Sequence, residues 1–187
     1  MLKINLENTD WGKIKKGVQS YVRIMHLVKN SNVQTNKEFQ KKFNGFYVIR
    51  QRSKEFYKAF YEYLEHNKYK NISFEQTLNF FQHKFQRFEP SFSSKIVATI
   101  NPNFPIWDSE VLKRLNIKRP FNLAKEVKFK RMVKIYDDIM SWYSEFLKTE
   151  QAKNMIKTFD EKIGKTNITD TKKIDLILWQ TREIKQI

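Results

Sequence analysis

Residues 87–117 read RFEPSFSSKIVATINPNFPIWDSEVLKRLNI, and a lysine and an aspartate among them have side chains that could do chemistry together. Lys95 and Asp108 stand thirteen positions apart. A lysine amine, once neutral, attacks electron-poor carbon and forms a Schiff base, and burial or a cationic neighbour lowers its pKa toward that state. A fixed carboxylate stabilises positive charge that develops in a transition state. The histidines, at positions 26, 66 and 83, show no metal-ligand spacing, and the chain has no cysteine. That excludes a disulfide scaffold, a thiolate zinc site and a cysteine nucleophile.

The elements that must hold the pair are helical. Pro90 and the serines at 91, 93 and 94 interrupt the preceding pattern, and a short helix is expected over residues 95–100. This puts Lys95 in that helix's N-terminal turn, beside free backbone amides that suit an anion. Asn101-Pro102-Asn103-Phe104-Pro105 forces an extended connection. Asp108 then occupies an N-cap position before Val111, Leu112 and Leu115. Upstream, Ser73 and Gln76 have the spacing of a capping box, opening a helix with Leu78, Phe81 and Phe85.

The rest of the chain repeats the helical period. Residues 11–29 set Ile14, Val18, Tyr21, Val22, Met25 and Val28 on one face. Residues 37–65 form two helices, or one interrupted near Gly45. A long helix is expected over 123–148, with Val127, Met132, Ile135 and Tyr136 among its apolar residues, and a last one opens near Thr169-Asp170. In that last helix Lys172 and Lys173 oppose the helix dipole unless an anion lies close. Phosphate would serve, and Asp170 and Asp175 are the simpler partners. The expectation is an all-α fold of about seven to nine helices in a single domain, 1–187, with a helix-hairpin-helix-like motif around residues 75–100.

Bulk properties narrow the partner. The 187 residues carry 36 Lys and Arg against 20 Asp and Glu, a formal charge of +16. Both halves are basic, so the excess is no tail. A broad positive surface attracts phosphate backbones. Lysine-rich codon usage in a low-GC genome also raises such a count. The N-terminus has no apolar signal core, and no stretch approaches the ~20 apolar residues that span a bilayer. A cytoplasmic protein without membrane attachment is expected, with no cofactor or metal and a monomer as the favoured state.

The layout resembles the helix-hairpin-helix DNA glycosylase superfamily. There, a Leu-Pro-Gly-x-Gly-x-Lys hairpin binds a DNA phosphate through backbone amides, and an aspartate follows in a Pro-Val-Asp-x-x-Val segment. Here Pro90-Ser91-Phe92-Ser93-Ser94-Lys95 falls in step with the first, and Pro105-Ile106-Trp107-Asp108-Ser109-Glu110-Val111 with the second. By that resemblance Asp108 matches the catalytic aspartate and Lys95 the nucleophilic lysine of the bifunctional members. Ser91 and Ser93 stand where the family has glycines, and the step to Asp108 is shorter than usual there. The resemblance implies base excision from double-stranded DNA with a flipped base, possible strand nicking, and no cofactor. Ser91, Ser93, Ser94, Lys113, Lys118 and Arg119 would contact DNA, and Phe92 and Trp107 would serve a base pocket or wedge. Two other readings stay open. One is a DNA-binding protein that keeps the fold without the chemistry. The other is a helical partner-binding protein of a defence system.

Overall fold

The computed structural model describes Ile4, residues 6–118, Pro120 and residues 122–181. Among these residues every regular element is helical: one 3-10 turn, Leu6–Asn8, and nine α-helices. The all-α expectation is met at the upper end of its helix number. No helix among the described residues is long and apolar enough to cross a membrane. The chain divides into two compact units, Gly12–Asn71 and the remainder.

The unit Gly12–Asn71 is built from α1 (Trp11–Asn30, starting one residue earlier), α2 (Lys37–Phe46) and α3 (Lys54–Asn67). On α1, Ile14, Val18, Tyr21, Ile24, Leu27 and Val28 are buried. Val22, expected on that face, is 46% exposed, because each residue turns ~100° around the axis and Val22 falls beside the buried stripe. Of the two arrangements open for residues 37–65, the structure has two helices. Gly45 lies inside α2, and the turn after it uses left-handed backbone at Val48 (φ 51°) and Gln51 (φ 57°). Asn36 caps α2 by accepting from Phe39 N, and Ser53 caps α3 by accepting from Phe56 N. Between them lie packed rings: Phe43 stands 5.6 Å from Phe60, and Phe39 5.9 Å from Tyr61.

The second unit contains α4 (Phe74–Phe85), α5 (Pro90–Ile100), α6 (Ser109–Arg114), α7 (Lys125–Phe146), α8 (Glu150–Ile163) and α9 (Asp170–Gln180). Two of these are central. On α5 every residue from Phe92 to Thr99 is buried, and on α9 every residue from Thr171 to Leu178. A helix covered all round must be apolar or must pair its polar groups internally. Both carry buried polar residues and take the second course: on α5 Ser93, Ser94, Lys95 and Thr99 bond within the helix, and on α9 Lys172 pairs with Asp175. α7 spans nearly the expected range, but Val127 near its start is 54% exposed. α8 has no counterpart in the sequence reading. Thr149 caps it, Ala152, Met155 and Phe159 bury its apolar face, and Gly164 at φ 93° ends it where an L side chain would be strained.

The start of α5 differs from expectation. The helix begins at Pro90, so Lys95 is its sixth residue and lies outside its N-terminal turn. Proline is favoured at the first helical position, where its missing N–H costs nothing and its fixed φ suits the helix. The serines after it join the helix by bonding back to earlier carbonyls.

The capping box at α4 forms as expected: Gln76 N donates to Ser73 Oγ at 3.0 Å, and Ser73 N to Gln76 Oε1 at 2.8 Å. Ser73→Ala removes one acceptor for an otherwise unpaired amide. It should lower unfolding free energy by about 1 kcal/mol, seen in urea titration as a lower midpoint at unchanged slope.

Candidate functional site

The turn between α4 and α5 lies where the sequence resemblance expects a hairpin. Its left-handed residue is Gln86 (φ 53°), whereas Ser91 and Ser93 are helical. The positive backbone angle of this turn thus falls before the serines, on a residue with a side chain. Ser93 and Ser94 are fully buried. Ser93 Oγ donates to Glu89 O at 3.0 Å, and Ser94 Oγ to Ser91 O at 3.0 Å. Ser91 is half-buried and holds Lys95: the ammonium donates to Ser91 Oγ at 2.6 Å and Ser91 O at 3.2 Å. The same ammonium lies 5.6 Å from the centre of the buried Phe92 ring, a cation–π contact.

One bond joins this helix to the segment that carries Asp108. Trp107 N donates to Ser94 Oγ at 2.8 Å, a buried contact across thirteen positions. Lys95 and Asp108 are the residues that directly follow the two partners. The extended connection is fixed along its length: Thr169 Oγ1 donates to Pro102 O at 2.7 Å, and Tyr136 OH to Pro105 O at 2.9 Å. The Trp107 indole is inside the core, 2% exposed, with its plane parallel to Phe74 at 6.0 Å; Phe74 in turn stacks on Tyr136 at 4.0 Å. Asp108 caps α6 as the sequence indicated, its Oδ1 accepting from Glu110 N at 2.8 Å. Its carboxylate is half-buried, and no cation pairs with it among the described residues.

Beneath Asp108 lies a polar group that the sequence only half disclosed. Lys172, Asp175 and Tyr143 are all buried. Lys172 Nζ donates to Asp175 Oδ2 at 2.8 Å, and Tyr143 OH to Asp175 Oδ1 at 2.5 Å. Burial pushes the Asp175 carboxyl up from its ordinary range, against the pull of Lys172 and Tyr143 that holds it down. Burial likewise raises the Tyr143 hydroxyl, so it stays protonated and donates. The Asp108 charge adds to the upward push on both, which sets Asp108 within electrostatic reach of the group. Lys173, the other first-turn lysine of α9, donates to Asp160 at 3.0 Å and pairs with Asp170 at 3.2 Å. The lysines that oppose the helix dipole are therefore answered by carboxylates. Asp170 and Asp175 were legible at helical spacing; Asp160 comes from α8.

Around this centre, Lys113 on α6 and Lys118 after it are exposed, while Arg119 lies outside the described residues. Arg114 turns inward and donates to Leu178 O at 3.3 Å and Thr181 O at 2.8 Å, tying α6 to the end of α9. A groove of about 330 Å³ borders the hairpin between α4 and α7, lined among others by Gln82, Phe88 and Phe129. These aromatics carried no signal in the sequence that set them apart from core phenylalanines.

No family model, curated protein or solved structure matches the chain.

The buried pair makes a stability prediction. Lys172→Met leaves Asp175 without its cation and should cost about 3–5 kcal/mol near neutral pH. The unfolded carboxyl loses its proton near its ordinary pKa of about 4, while the buried one in the variant titrates higher. The variant's stability therefore falls as pH rises through that window, and its deficit against the parent is smaller in acid. Denaturant titrations at acid and neutral pH measure the difference. Lys172→Met with Asp175→Leu should recover part of the loss.

Proposed function

We propose that the protein binds duplex DNA and releases a damaged or modified base from it, with Asp108 as the group that stabilises the transition state. Breaking the bond between base and deoxyribose leaves positive charge on the sugar, and a preorganised carboxylate beside it lowers the barrier. The base must first leave the helical stack. The observation that carries this reading is the Ser94–Trp107 bond at 2.8 Å, one residue before Lys95 and Asp108 respectively. It supports a shared site for the two residues that the glycosylase resemblance singles out. A half-buried carboxylate, held by its own helix and unpaired with a cation among the described residues, suits an electrostatic role. The +16 charge suits a DNA partner.

In this scheme Lys95 has a conditional part. To attack the sugar's anomeric carbon its ammonium must leave Ser91 and lose a proton. The new C–N bond would then replace the bond to the base, and a Schiff base would lead to strand nicking. The bonds that hold Lys95 to Ser91 also favour a second reading: DNA binding without chemistry, in which Lys95 is a structural cation.

Asp108→Asn separates these readings. Under the enzymatic one, the variant loses base release from a damaged duplex by on the order of a hundredfold or more while its affinity for the duplex survives. Equal release by parent and variant, or none by the parent on any damaged duplex, refutes base excision through Asp108. Borohydride added during turnover traps a covalent protein–DNA adduct if Lys95 is the nucleophile, and Lys95→Gln abolishes that adduct. Base release without an adduct assigns the attack to water.

A further inference from the structure

The unit Gly12–Asn71 has fourteen Lys and Arg against four Asp and Glu, so +10 of the chain's +16 sits in sixty residues. Three of its four carboxylates are already engaged. Glu38 grips Arg23 with both oxygens at 2.9 Å. Glu65 accepts from Val33 N at 2.7 Å and pairs with Lys68 at 2.8 Å. Glu55 is bonded to its own helix start, at Ser53 and its own backbone.

A groove of about 580 Å³ opens in this unit beside the starts of α2 and α3. Lys37, Lys54 and Lys58 line it, together with Gln40, Asn44 and Tyr57, and no carboxylate does. Lys54 and Lys58 make no ion pair among the described residues, and Lys37 reaches only Gln40 Oε1, at 3.4 Å. Lys37 and Lys54 are also the first residues of α2 and α3. A cation there faces the positive end of the helix dipole, an arrangement that an anion in the groove would relieve at both helices at once. The floor is rigid: Tyr61, buried, donates to Asn44 Oδ1 at 2.6 Å and Gln40 O at 3.3 Å. Tyr57 is half-buried, with part of its side chain open to solvent.

We infer that this groove binds the phosphate backbone of a nucleic-acid strand, with Lys37, Lys54 and Lys58 on the phosphates and the Tyr57 ring beneath a base. Three cations that make no ion pair among the described residues, in a groove lined by no carboxylate, match a repeating phosphodiester, and each neutralised phosphate releases counterions. A half-buried tyrosine on the groove wall and side-chain amides suit bases of any sequence, as in single-strand binding grooves. An acidic peptide would satisfy the lysines and leave the tyrosine unused. The inference takes from the proposed function only that the partner is nucleic acid. It needs neither Asp108 nor base excision.

The test uses the full chain and a fluorescein-labelled single-stranded oligonucleotide, followed by anisotropy across a salt series. Replacing Lys37, Lys54 and Lys58 by Gln should lower the slope of log K against log salt by about 2, from about 0.7 per phosphate contact. Replacing Lys148, Lys153 and Lys157, which pair with Glu145, Glu150 and Glu161, removes the same charge and should leave the slope unchanged. Acetylation footprinting of the unmodified chain gives a readout that no folding defect can blur. Bound oligonucleotide should protect Lys37, Lys54 and Lys58 and leave Lys148, Lys153 and Lys157 reactive. An unchanged slope, no protection of the three lysines, or binding of AMP or polyglutamate in place of the oligonucleotide overturns the inference. Each of these results leaves base excision at Asp108 standing, because the Asp108→Asn comparison reads a different step.

Discussion

The candidate site depends on one buried hydroxyl. Ser94 Oγ donates to Ser91 O and accepts the Trp107 amide, and it has no contact with solvent. A main-chain N–H sealed in a core without an acceptor costs about 1–3 kcal/mol, so the extended segment is held wherever that acceptor is. Because Trp107 must bury its indole against Phe74, segment and helix have a single common register. Asp108 inherits its position from these constraints. The carboxylate is aimed by a proline-stiffened strap whose amide and aromatic ring are both fixed one residue earlier.

The same segment is gripped from the other side by Tyr136 and Thr169, whose hydroxyls take the Pro105 and Pro102 carbonyls. Prolines lack an N–H, so their carbonyls are the backbone groups left to anchor, and both are used. Below the strap, α9 carries the buried Lys172–Asp175–Tyr143 group. Replacing such a group with apolar side chains is often neutral or stabilising in proteins, so its presence is weak evidence for stability. Its charges do, however, set the electrostatic ground on which Asp108 sits. Lys172, the buried cation of the group, is committed to Asp175.

What the sequence disclosed follows the range of the interactions involved. The capping box at Ser73 and the cap at Asp108 are written in a few adjacent residues, and both formed. The helices of α1, α4, α7 and α9 were legible from their apolar spacing. α8 was not read, since Ala152, Met155 and Phe159 make a thin stripe among charged residues. The start of α5 at Pro90 is hidden in the sequence because serines are poor helix formers in isolation. Buried, they bond back to Glu89 and Ser91 and become compatible with the helix. The Ser94–Trp107 bond had no local signature. Neither did the partition of charge, which appears once Gly12–Asn71 is seen to be a unit of its own.

The displacement of Lys95 from the helix start moves its ammonium less than its place in the sequence implies. Side chains on a helix lean toward its N-terminus, so a residue meets its neighbour four positions back. From the sixth position of α5 the Lys95 stem therefore reaches Ser91 in the first turn, and its ammonium lies there, against the Ser91 hydroxyl and the Phe92 ring. The start of the helix thus holds a cation brought from a turn below. A lysine in the first turn itself would extend beyond the helix into solvent. One set four residues in lies against the helix it leans on, where two Ser91 oxygens accept from it and the Phe92 ring faces it. Ser91 supplies the hydroxyl that holds it there, and because the helix starts at Pro90 that serine lies in the first turn, within reach of the same amine.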